Sequence, residues 1–289
     1  MKLAGAIWFA LLILAGPALL AAGNDWRPLF NGKDFSGWER YLGFPPASVN
    51  IPGVGRDADG HYLEPLGIDH DPLRVFSIVE VDGAPAMRLS GVIGGGVATL
   101  ESFRDYHLKF QFKWGERRKD KNASLPRNSG FLYHAYGRQG DVKNQWLNSH
   151  QFQIQEGRTG EYIAMGGAVA DIRARPMDGR GFVYDPASGR LTFGHETSSG
   201  PTCGRSGGEY EKPVGEWNTL ELICVGGECI QIVNGHVTLR VAASRQESAH
   251  GLVPLTQGRL ELQMEGWEIY FRDIMIRPIK EIPAEYAGR

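Results

Sequence analysis

The sequence predicts an all-β protein, a sandwich of two antiparallel sheets. Three observations predict it: apolar and polar residues alternate with a period of two, no segment carries a sustained helical stripe, and glycine is in excess. The 39 glycines among 289 residues amount to about 13%, against a norm of ~7%. With 16 prolines and no collagen-like period, such a composition serves many turns between short strands. The 42% apolar and 22% charged content is that of an ordinary globular chain, not of a disordered one. A formal net charge of −2, from 31 basic against 33 acidic residues, argues against a nucleic-acid binder and against electrostatic capture by anionic membranes. Both need a clustered basic excess.

The elements follow in chain order. Lys2 precedes an apolar run from Leu3 to Leu20 and the small residues Ala21-Ala22-Gly23, the charged, apolar and cleavable parts of a secretory signal peptide. Gly16-Pro17 interrupts that run, which favours the signal over a membrane anchor. Residues 1–23 are therefore expected to be removed, leaving one domain, 24–289, periplasmic or secreted and without a stable membrane anchor. In Tyr106–Trp114, Leu108, Phe110, Phe112 and Trp114 alternate with His107, Lys109, Gln111 and Lys113, so one face is buried and the other wet. Asn128–His134 and His150–Glu156 read as strands too. Asn234-Gly235 is the strongest hairpin signal. Leu260, Leu262 and Met264 alternate with Arg259, Glu261 and Gln263. The last strand, Trp267–Pro278, changes phase between Phe271 and Ile274, which predicts a β-bulge at Arg272-Asp273. Three loops interrupt the strands: 43–74, 116–127 with its charge run Glu116–Lys121, and 195–216.

Export would place the three cysteines in an oxidising compartment. Cys224 and Cys229 flank Val225-Gly226-Gly227-Glu228, a hairpin loop that brings them within reach of a disulfide; two reduced, buried thiols are the alternative. Cys203 has no obvious partner. No CxxC pair points to zinc, Gly94-Gly95-Gly96 lacks the Lys-Ser/Thr of a phosphate loop, and no G-x-S-x-G elbow is present.

The chemistry points to the segment His150-Gln151-Phe152-Gln153-Ile154-Gln155-Glu156. With Phe152 and Ile154 facing the core, Gln151, Gln153 and Gln155 line the opposite face, and each amide both donates and accepts, as hydroxyl-rich ligands require. If Phe131 and Tyr133 are buried, Gly130, Leu132 and His134 share a wet face, which makes His134 a candidate beside Lys113 and the Gln row.

Those residues also carry a resemblance. Leu29-Phe30-Asn31-Gly32-Lys33-Asp34-Phe35-Ser36-Gly37-Trp38, Asn128-Ser129-Gly130, Gln153-Ile154, Gly215-Glu216-Trp217-Asn218-Thr219 and Val233-Asn234-Gly235 occur in this order. The set resembles the 3-keto-disaccharide hydrolase family (3-keto-glucoside-1,2-lyase/3-keto-2-hydroxy-glucal hydratase) over about residues 26–278. The resemblance implies a concanavalin A-like jelly-roll sandwich that holds its ligand on a concave sheet face. It also implies an exported enzyme whose small-molecule partner is a 3-keto-glycoside. A ketone at carbon 3 acidifies the proton on carbon 2; a base removes it, the aglycone leaves carbon 1, and water adds to the enone. Such chemistry asks for one base of tuned pKa and donors to an enolate oxygen, not for the paired carboxylates of ordinary glycosidases.

Two departures matter. Members of the family it resembles often carry an acid where this chain has Gln151, and many carry Arg where it has His134. By motif position, His134 or Glu156 becomes the base, Lys113 or Gln153 the enolate donor, and Gln151, Gln153, Gln155 and Asn128 the sugar-binding set. A divalent metal held by His134, His150 and Glu156 is an alternative, with no other cofactor implied. The rival from another class is a carbohydrate-binding module of the same fold, which needs no base. A conventional glycosidase would need acids from other loops, such as Glu64 or Asp71.

Overall fold

A computed structural model describes residues 25–118, 124–179 and 181–287 of the protein. The expected signal peptide lies outside the described residues, as does the end of the 116–121 charge run. Among the described residues there are strands and turns but no helix, and the strands form the expected jelly-roll sandwich of two antiparallel sheets. The first sheet runs Gly181–Tyr184, Ala168–Met177, His236–Ser248, Glu228–Val233, Asn218–Val225, Tyr106–Trp114, Ile269–Pro278, Ala84–Leu89, Phe76–Val81, with three short strands added at its margins. The second runs Thr202–Cys203, Tyr162–Met165, Asn148–Gln155, Asn128–Tyr136, Gln257–Met264, Gly95–Thr99, Trp38–Leu42, Gly67–Ile68, with Phe103–Arg104 beside the Gln257–Met264 strand.

Alternation decides which face of each strand enters the core. Phe110, Phe112 and Trp114 from the first sheet meet Phe131, Phe152, Ile154, Leu262 and Met264 from the second in one apolar cluster. The phase change in the last strand is the expected bulge: Asp273 has φ of +51°, and pairing steps from Arg272↔Gln111 to Met275↔Lys109. The extra residue lets both Phe271 and Ile274 reach the core. At Asn234-Gly235 both residues have positive φ, the geometry of the tight turn whose twist matches the strands it joins.

Both outer faces are partly covered. On the first sheet, Ile223, Ile230 and Ile232 lie under Ile279, Ile282 and Tyr286 from the C-terminal segment. On the second, the 137–147 connection folds back so that Val142 and Trp146 pack on Leu132 and Leu147 on Ala98 and Ala135. The indole N–H of Trp146 donates to the carbonyl of Gly95 at 2.9 Å. The 43–74 loop is organised around the hydroxyl of Tyr62, which accepts from the amide of Ile51 at 2.8 Å and donates to the carbonyl of Val49 at 2.7 Å.

Candidate functional site

The outer face of the second sheet carries a buried polar patch. Gln151, Gln153 and Gln155 project from it together, because Phe152 and Ile154 fill the core side. Gln151 and Gln153 are nearly inaccessible to solvent. They form a ladder: the amide of Gln151 donates to Gln153, and that of Gln153 donates to Asn128 at 2.9 Å and Gln155 at 3.1 Å. Asn128 in turn donates to the carboxylate of Glu265.

Strand register places two more groups beside the ladder. Gln151 pairs with Leu132, and Leu132 with Glu261, so Gln151, Leu132 and Glu261 form one row. The neighbouring row holds Gln153 and Gly130 on adjacent strands, then Gln263 paired with Gly96 and Gly96 with Tyr41. Glu261 and Gln263 expose none of their surface. One carboxyl oxygen of Glu261 accepts the amide of Leu147 at 3.2 Å; the other has no partner, and neither does either end of the Gln263 amide. Buried polar atoms are normally paired, so three orphans in one patch single it out as the candidate site. Burial pushes the Glu261 carboxyl up to about 8, with Glu39 adding to the effect, although the Leu147 amide and Arg259 oppose it.

Two glycines make this packing feasible. A Cβ on Gly96 would stand 2.2 Å from the free oxygen of Glu261. One on Gly130 would stand 2.5 Å from the Gln263 oxygen and 2.6 Å from the Gln151 nitrogen. Glu261, Gln263 and Gln151 therefore lie over two positions, Gly96 and Gly130, that have no side chains of their own.

Other expected site residues lie elsewhere. His134 is not on the wet face. Between the pairs Tyr136↔Asn148 and Tyr133↔His150 the Asn128–Tyr136 strand has one residue more than its partner. This bulge, with φ of +49° at His134, turns the ring toward the interior among Tyr106, Tyr133 and His150. Lys113 belongs to the first sheet, on the face opposite the core, where its ammonium pairs with Asp82 at 2.9 Å. The thickness of the sandwich separates it from the Gln row. Glu156 binds the backbone amide and guanidinium of Arg127 at 2.6 and 2.8 Å. His150 spends both ring nitrogens on Tyr162 at 2.7 Å and Ser244 at 2.6 Å, and burial, reinforced by His134, holds its pKa well below the usual value. The metal set of His134, His150 and Glu156 is thus not assembled. Asp71 caps the turn into the Phe76–Val81 strand by accepting the amides of Val75 and Phe76, and Glu64 is exposed.

Of the expected set, the structure brings together Gln151, Gln153, Gln155 and Asn128. Sequence reasoning placed Glu261 and Gln263 on a wet face without assigning them to the site. The missing signal was register, since Glu261 stands 110 positions from Gln151 in the chain.

The family model for the 3-keto-alpha-glucoside-1,2-lyase-like domain matches residues 25–277. The chain belongs to this family. Its members' sugar chemistry fits a small-molecule carbohydrate ligand, and the family range takes in both sheets of the sandwich. Among solved structures, one described as a "Putative glycosyl hydrolase" from Parabacteroides distasonis ATCC 8503 is similar, with 19% identity, a TM-score of 0.45, and coverage of 88% of this chain and 99% of that one. The carbohydrate-binding module CBM66 from Bacillus subtilis is similar at 7% identity and a TM-score of 0.41, over 70% of this chain and 91% of that one. No curated protein matches the chain.

Proposed function

We propose that this member of the 3-keto-alpha-glucoside-1,2-lyase-like family cleaves 3-keto-glycosides by elimination on the outer face of the second sheet, with Glu261 as the base. The observation that carries the reading is the Glu261 carboxyl itself: fully buried, with one oxygen free beside an unpaired Gln263 amide. In the elimination, the Glu261 carboxylate takes the proton from carbon 2 and the electron pair of that C–H bond forms the C1=C2 double bond. The C1–O bond breaks, and the aglycone leaves with the electron pair of the C1–O bond and is protonated by water. The unpaired Gln263 amide donates to the carbon 3 oxygen as negative charge develops on it. Adding water across C1=C2 then completes a net hydrolysis.

This reading also accounts for Gln151. Where the family resemblance implies an acid, this chain has an amide, yet Glu261 occupies the same row two strands away, ~10 Å at the usual strand spacing. A carboxyl is thus supplied to this row from a different strand. The reading includes export to the periplasm or beyond, supported by the charged, apolar and small-residue pattern of residues 1–23.

The test is release of nitrophenol from a nitrophenyl 3-keto-glucoside, followed with the absorbance of the enone, for the wild-type chain and Glu261→Gln. Turnover is expected to fall by about 100- to 10,000-fold in the variant while binding of the keto-sugar survives. Because the base acts ionised, wild-type kcat/KM should climb as pH rises toward about 8 and level off above it. Undiminished turnover in the variant removes Glu261 from the reaction. Binding of the keto-sugar by the wild-type chain without turnover at any pH makes the protein a carbohydrate-binding module instead.

A further inference from the structure

Between the sheets, on the core side of the same strands, lies a second polar group that the sugar chemistry does not use. The bulge that withdraws His134 from the outer face carries its ring to the tip of the hairpin formed by Asn218–Val225 and Glu228–Val233. Cys224 and Cys229 are a directly facing cross-strand pair there, and both are free and completely buried. Of the two alternatives that the sequence leaves open for them, the structure shows the thiols. One ligand atom from each of His134, Cys224 and Cys229 fits within 4.8 Å of the others.

Three features of this cluster go beyond ordinary core packing. His134 has no exposed surface, and neither ring nitrogen makes a well-formed hydrogen bond, although the Cys224 thiol stands beside the ring. A neutral imidazole always presents one donor and one acceptor, so burying both unmet is costly unless something occupies them. The histidine is also held at φ of +49°, a backbone conformation uncommon for residues other than glycine. The Tyr106 hydroxyl, whose ring meets the His134 ring edge-on at 6.0 Å, is a further buried polar atom without a well-formed hydrogen bond, and it stands beside the Cys224 thiol.

We propose that His134, Cys224 and Cys229 bind one thiophilic metal ion, zinc(II) or copper(I), in the interior between the sheets. Two thiolates and an imidazole nitrogen are the donors such ions select. Each thiol gives up its proton on binding. With zinc the assembly is electrically neutral, which suits a site sealed from water, and the Tyr106 hydroxyl stands close by as a neutral fourth donor. Copper(I) is satisfied by the three. The ion would tie the Asn128–Tyr136 strand of one sheet to a hairpin of the other, so its role is structural.

The experiment uses the chain purified without reductant or chelator, then equilibrated separately with zinc(II) and, under anaerobic conditions, with copper(I). Bound metal is measured after desalting, and thiols are titrated in denaturant after the metal is stripped. Retention of one equivalent of either ion, with all three cysteines titrating as thiols, is the expected result. Cys224→Ser should weaken binding about 100-fold or more and His134→Gln about 10-fold or more, while Cys203→Ser and Glu261→Gln bind as wild type. Should the cluster variants fail to fold, cobalt(II) substitution of the wild-type chain decides, because thiolate ligation gives an intense sulfur-to-cobalt charge-transfer band. Failure to retain either ion, absence of that band, or a single titratable thiol (Cys224 and Cys229 having closed a disulfide) overturns the proposal.

Discussion

Glu261 keeps at neutral pH a proton that a solvated glutamate has already lost, since burial pushes its carboxyl from 4.5 to about 8. That shift has a sign for stability. A proton held more tightly in the folded than in the unfolded state favours folding below about pH 4.5, and the advantage is lost as pH climbs through about 8. Glu261→Gln has no proton to lose. Relative to wild type it should therefore gain ~2–5 kcal/mol between pH 4 and pH 9, read as thermal or denaturant midpoints of both proteins across that range. Gly130 permits a test of the site's floor without replacing a polar group. The atoms its Cβ would meet first are the ends of Gln263 and Gln151, side-chain atoms that can rotate. Gly130→Ala should thus change stability by no more than ~1 kcal/mol, yet lower kcat/KM about 10- to 100-fold by moving the amides out of position. Equal activity in the two proteins would show that neither amide touches the substrate.

The strands themselves were readable wherever pattern alone fixes the outcome. Tyr106–Trp114 has its predicted bounds, and the Arg272-Asp273 bulge and the Asn234-Gly235 turn fall where the phase change and turn chemistry put them. The bulge at His134 left no such mark. Phe131, Leu132, Tyr133, His134 and Ala135 are all fully or almost fully buried, so this strand is covered on both faces and no polar-apolar rhythm reports the extra residue. What makes the bulge possible is across the sheet: a Cβ on Gly258 would sit 2.4 Å from the His134 carbonyl carbon and 2.7 Å from the amide of Ala135. Those are backbone atoms and cannot rotate away. Gly258→Ala is expected to destabilise the fold by ~1–3 kcal/mol, measured by denaturant unfolding. A neutral result would mean that the bulge tolerates more movement than its packing suggests.

At the scale of the whole molecule, what the chain's pattern could not supply was sheet membership. Lys113 and Gln153 have the same parity with respect to the core, but one strand lies in the first sheet and the other in the second, so equivalent positions end up on opposite exteriors. The same non-local pairing that separates Lys113 from the Gln row delivers Glu261 to it. Half of the candidate site was therefore visible as the amide ladder of one strand. The other half depended on which strand becomes that ladder's second neighbour, a matter settled by the closing of the sandwich and not by any local motif.

The 137–147 connection, whose Leu147 amide reaches Glu261, has a kinetic corollary. Glu261 and Gln263 present no surface to solvent, so a sugar cannot reach them by diffusion and collision alone; the protein must first open. Ligand capture then has a speed limit set by the chain's own motion. In stopped-flow mixing, the observed association rate should rise with sugar concentration and then flatten at the opening rate. Replacing Trp146 by Ala, which removes the indole bond to Gly95, should raise that plateau. A rate that stays linear in concentration would mean that the face stands open in solution for most of the time.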